Sequence, residues 1–129
     1  MPSIVIRLDP TLLTDPNLDL RYAIPDKLEE RTGGLVKDGG YDYEFGPDDQ
    51  ISGQEAMQIY LETDDLETAF PAVVAFLETS HLFGNDLAAA ATMGVAEEAA
   101  GEATTYSIRY PPGRDGVISV PNAGRQGKA

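Results

Sequence analysis

The chain has 129 residues, no cysteine, one histidine and a formal net charge of −13. That length suits one domain around a single core, and the missing cysteine excludes disulfides, zinc–thiolate sites and thiol nucleophiles. From Asp38 to Ile108 there are fifteen Asp or Glu and no Lys or Arg, a field that argues against nucleic-acid phosphates and anionic membranes as partners.

The opening MPSIVIRLDP has neither a basic start nor a long apolar run, so no secretory signal is expected. No apolar run approaches the ~20 residues of a membrane helix, and a soluble cytoplasmic protein is the expectation. SIVIRL, residues 3–8, is short and β-branched and is stopped by Asp9-Pro10; it predicts the first strand. DPNLDLRYA, residues 15–23, fits either a helical turn capped by Asp15 or an extended piece with Leu18, Leu20 and Tyr22 alternating. PDKLEERTGG, residues 25–34, predicts a short helix opened by Pro25 and closed by the Gly33-Gly34 pair.

Leu35 and Val36 resume an extended run, which DGG at 38–40 is expected to break. YDYEF then alternates: Tyr41, Tyr43 and Phe45 on a core face, Asp42 and Glu44 toward solvent. GPDDQISGQ, residues 46–54, is a polar loop. Its acids lack the alternating pattern of a calcium loop, so no metal is expected there. AMQIYLET, residues 56–63, predicts a strand with Met57, Ile59 and Leu61 inward and Gln58, Tyr60 and Glu62 outward. Asp64-Asp65 caps a helix running to about residue 80, with Leu66, Ala69, Phe70, Val73, Val74 and Leu77 as its apolar stripe. The stretch 85–112 has two readings. One is a hairpin in which 90–98 pairs with 104–110 around Ala100-Gly101; the other is a helix over 86–100 driven by the alanine run. Residues 113–129, basic and glycine-rich, predict a flexible tail beyond a domain spanning 1–112, although VISV within it could pair to a sheet edge.

The order strand, helix, strand, strand, helix, strand predicts an α+β fold. Its arrangement is a ferredoxin-like split β-α-β-β-α-β antiparallel sheet with both helices on one face and an extra C-terminal strand or hairpin. The other face is then open, and its outward residues are the candidate partner-binding surface: Arg7, Asp42, Glu44, Gln58, Tyr60, Glu62 and Arg109. In that arrangement Arg7 either lies beside a docked partner or neutralises Glu62 across the strand pair.

Catalytic signatures are thin. His81 stands alone near a helix end, where it suits the final carbonyls better than a metal or base role. There is no nucleophile elbow, phosphate loop or dinucleotide fingerprint, so no catalytic residue and no cofactor is assigned. In size, charge and fold class the chain resembles the small acidic immunity proteins of toxin systems. That resemblance implies a protein that docks a basic protein partner and neutralises it. The alternatives are a small carboxylate- or metal-dependent enzyme on the same scaffold, and a structural dimerisation domain forming a homodimer.

Overall fold

The computed structural model of the chain describes residues 1–15, 19–44 and 56–121. Strand β1, Ser3–Leu8, ends at Asp9, whose carboxylate accepts bonds from the Thr11 amide and hydroxyl and caps a 3₁₀ turn at Pro10–Leu12. Helix α1, Leu20–Arg31, starts five residues before Pro25, which therefore lies inside the helix rather than at its opening. An internal proline removes one backbone bond and crowds the preceding turn. Here Leu20, Ile24 and Leu28 are fully buried at i, i+4 and i+8, and that burial outweighs the penalty. The helix closes as expected. Gly33 and Gly34 take φ of +62° and +87°, and the Gly34 amide reaches back to the Glu29 carbonyl at 2.9 Å.

Strand β2, Lys37–Tyr43, contains the DGG segment instead of being broken by it. The glycines form a bulge between Asp38 and Tyr41 in the ladder with the next strand. Gly40 sits at φ +100°, and its amide donates to the Asp38 carboxylate at 2.8 Å. A Cβ on Gly39 would lie 2.9 Å from the Ala100 Cβ, so the bulge also admits a close approach from a distant loop.

Strand β3 is Met57–Glu62 and helix α2 is Leu66–Thr79. The Asp65 side chain accepts from the Thr68 amide and hydroxyl, as a capping acid should. One turn of helix, α3 at Leu87–Ala90, leads into β4, Ala91–Ala96. The hairpin reading of this stretch therefore holds, and the alanine run is helical for only four residues. Packing decides it: a Cβ on Gly94 would meet the Tyr106 Cβ at 2.9 Å and the Ser107 carbonyl at 3.0 Å, so this position is pressed flat against β5, Thr105–Tyr110.

A sixth strand, β6 at Val117–Ser119, pairs with β5. The boundary at residue 112 is thereby corrected. Ile118 and Val120 are buried, so the fold runs through what read as tail. Residues 122–129, like Phe45 and the 46–54 loop, lie outside the described residues.

The protein is α+β; its described residues form three helices and one six-stranded sheet in the order β2-β3-β1-β4-β5-β6, every neighbouring pair antiparallel. Two strands beyond four make this order different from a simple split β-α-β-β-α-β sheet. All three helices cover one face, where Ile4, Ile6, Ile59, Leu61 and Met93 meet Ile24, Leu28, Val73, Phe76 and Leu87. The other face is not open. Val5, Tyr60, Ala96, Ala100, Ala103, Tyr106, Ile118 and Val120 form a second core on it. The Gln58 side chain on β3 donates to the Ser119 carbonyl on β6 at 3.0 Å, although three strands separate them in the sheet. The sheet thus curls into a half-barrel, and its own C-terminal hairpin closes the inner face. Among the described residues no helix is long and apolar enough to cross a membrane.

Candidate functional site

The curl gathers four of the seven candidate residues into one hydrogen-bonded row. Register sets it up: Arg7 pairs with Gln58 across β1 and β3, and Asp42 pairs with Gln58 across β2 and β3. Arg7 Nε and Nη2 donate to the two oxygens of Glu44 at 2.7 and 2.9 Å. Gln58 Nε2 donates to the same carboxylate at 2.7 Å, and the Tyr60 hydroxyl donates to Gln58 Oε1 at 2.9 Å. Bidentate guanidinium–carboxylate pairing fixes both groups in position. Burial pushes the Glu44 carboxyl up, but the bonds from Arg7 and Gln58 outweigh it and hold it below its ordinary value. The Tyr60 phenol is pushed strongly upward, first by burial and then by the nearby Asp42 carboxylate, and stays protonated.

Several outward assignments are corrected by this placement. Gln58 and Tyr60 are buried, and Glu44 is only half-exposed, because the β5–β6 hairpin folds over the side they face. Arg7 is paired with Glu44 and not with Glu62. The Glu62 carboxylate, four residue pairs further along the β1–β3 ladder, instead accepts from the Ala100 amide at 3.3 Å. Asp42 is half-buried beside Tyr60. Arg109 is not part of the group. It is the extra residue of a bulge in β5 opposite Met93 and Gly94, and it is exposed. On β5 it is Tyr106 and Ile108 that turn toward the second core.

A cleft of about 320 Å³ opens at the rim of this network. Arg7, Glu44 and Thr92 line one side and Arg114, Ile108 and Ile118 the other, with Arg114 Nη1 donating to the Thr92 hydroxyl at 3.1 Å. A second cleft, of about 430 Å³, lies where α1 and α2 end, lined by Lys27, Glu30, Arg31, Phe76 and His81. His81 is exposed, and its side chain caps neither the helix before it nor the turn after it. Arg31 instead lies over the Phe76 ring at 5.3 Å. Among the described residues, no three His, Asp or Glu side chains gather closely enough to hold a metal ion.

A further cluster has no counterpart among the sequence assignments. Tyr22 on α1 and Tyr41 on β2 meet edge to face at 5.9 Å, and Tyr41 meets Tyr43 likewise at 5.8 Å. The Arg21 guanidinium lies 4.7 Å over the Tyr22 ring and 4.9 Å over the Tyr41 ring, and donates to the Tyr43 hydroxyl at 2.8 Å. A hydrogen bond with Tyr22 is the main cause holding the Tyr41 phenol above its ordinary value. Tyr43 is buried as expected, but Tyr22 and Tyr41 stay 49% and 39% exposed. Tyr41 shares the core side with Tyr43, yet β2 is the edge strand and the helical layer ends there. The helix pattern held a usable signal: with Leu20, Ile24 and Leu28 inward, Tyr22 has to face outward.

No protein-family model matches this chain, and neither a search of curated proteins nor one of solved structures returned a significant match.

Proposed function

We propose that this chain is a protein-binding module that docks a basic protein partner, in the manner of an immunity or inhibitor protein acting in the cytoplasm. One observation carries the reading. Among the described residues Asp64, Glu67, Glu78, Glu97 and Glu102 are all exposed and none has a cationic partner, in contrast to Glu44, which is paired with Arg7. Unpaired like charges repel one another, and a complementary partner removes that cost while being steered inward by the field. For the fold, we propose a ferredoxin-like split β-α-β-β-α-β core extended by the β5–β6 hairpin. The supports are the run β2-β3-β1-β4 on one side of the sheet and the placement of α1 after β1 and α2 after β3 in the chain.

The test is kinetic. A partner recovered by in-cell crosslinking is purified, and its association rate is followed by stopped flow from about 50 mM to about 500 mM NaCl, which shortens the screening length severalfold. The expected result is a partner surface rich in Lys and Arg and an on-rate falling at least ~10-fold over that range. A neutral or acidic partner whose on-rate ignores salt overturns the reading.

A further inference from the structure

We propose that the outer face of α1, with Tyr22 at its centre and Tyr41 beside it, is the surface that takes the partner, and that the docking segment combines Arg or Lys with an apolar or aromatic residue. The inference rests on the basic-partner reading and adds a location and a composition to it. Asp19, Tyr22, Asp26 and Glu29 are all exposed. Their spacing of three, four and three residues stacks them along one side of a helix. The two cations in the rest of α1, Lys27 and Arg31, turn to another side, where they line the cleft with Phe76 and His81. The Tyr22 face is therefore an acidic ridge interrupted by one aromatic ring.

Two features separate this ridge from the other acids. Tyr22 and Tyr41 are exposed large aromatics that touch each other, and the Arg21 guanidinium, lying over a face of each ring, holds both in place. Rings held in place before binding have little rotamer freedom left to lose, and Tyr with Arg is the composition that dominates binding energy at protein interfaces. By contrast α2 shows solvent Glu67, Thr68, Pro71, Ala75 and Glu78, with no aromatic anchor. Charge also selects the occupant. A second copy of the chain docked on this face would set Asp19, Asp26 and Glu29 against the same acids, whereas Lys or Arg flanking an apolar residue would meet carboxylates around a ring.

The test uses two synthetic probes of equal charge, a peptide alternating Arg with Phe and an oligolysine, titrated at low salt into the ¹⁵N-labelled protein. The expected result is amide shifts centred on 19–29 and 41–43, with the Arg/Phe peptide binding about 10-fold tighter than the oligolysine. Tyr22→Ala should weaken the Arg/Phe peptide about 10-fold and Asp26→Lys several-fold, while Ala75→Gln on the exposed side of α2 leaves it unchanged. Each variant is checked for an unaltered thermal midpoint, which substitutions at these exposed sites should preserve. Tight binding centred on α2 or on the β4–β5 loop would overturn this surface and leave the basic-partner reading standing. Equal response to both probes, or shifts spread over every acid, would overturn it too. If neither probe binds, both readings fall. Shifts at 19–29 that grow with protein concentration alone would replace the basic partner with a second copy.

Discussion

The two faces of the sheet are built on different plans. The face under the helices is filled by large aliphatic side chains, Ile4, Ile6, Ile59 and Leu61 against Ile24, Leu28 and Val73. The inner face of the half-barrel mixes small residues and tyrosines with a few β-branched side chains: Ala96, Ala100 and Ala103 lie around stacked Tyr60 and Tyr106, whose rings are 6.0 Å apart, together with Val5, Ile118 and Val120. Its rim is a polar row from Tyr60 through Gln58 to Glu44 and Arg7. A half-barrel narrows its concave side, so backbone approaches backbone in places such as Gly94, and short or flat side chains are favoured there. Polar residues on a strand then mark hydrogen-bonded burial as readily as they mark solvent.

The contrast can be tested from its largest expected effect downward. Leu61→Ala leaves a hole under the helices and should cost about 2–5 kcal/mol in urea denaturation. Gly94→Val probes the opposite limit, since even a Cβ meets Tyr106 and the Ser107 carbonyl there; overpacking should cost about 1–3 kcal/mol. A valine accepted without loss would show that the inner face has room. Tyr60→Phe removes the hydroxyl that bonds Gln58 and should cost about 1 kcal/mol, measurable as a lowered denaturation midpoint with unchanged slope. A stabilised variant would mean that this row is not satisfied by its own members.

The smallest effect is a pH dependence. Glu44 has a folded value below its ordinary 4.5, so its contribution is fully present above that value and disappears as pH falls through the lower folded one. Glu44→Gln should therefore flatten the acid limb of the stability curve below about pH 4.5 and leave the curve's shape near pH 7 unchanged. An acid limb identical to the parent's would remove Glu44 from the network's energetics.

Much of the helix-covered face was legible in the sequence because periodicity reports it directly. Ile4, Ile6 and Leu8 alternate in β1, Met57, Ile59 and Leu61 in β3, and Ala69, Val73 and Leu77 recur at helical spacing in α2. The inner face was not, for a physical reason. Gln58, Tyr60 and Glu44 are polar by composition, and only a long-range event, the return of residues 117–120 over β3, buries them. Nothing in the short run VISV states which strand it will lie across. Pro25 misled in the other direction: a proline reads as a helix opening, yet here three buried aliphatics carry the helix through it. For the candidate surface, Tyr22 was readable from the inward stripe of α1, whereas the exposure of Tyr41 depends on its strand lying at the edge of the sheet.

The position of β1 has a consequence for how the chain is made. Strand β1 lies between β3 and β4 and leaves the ribosome before either, since its ladders are formed with residues 57–62 and 91–96. Ser3–Leu8 thus stays without its second neighbour until residue 96 has been synthesised. An IVI segment that waits so long is apolar surface exposed to aggregation in the meantime. It also makes closure of loops of high sequence separation a condition for completing the sheet, so refolding is expected to be slower than that of helical bundles.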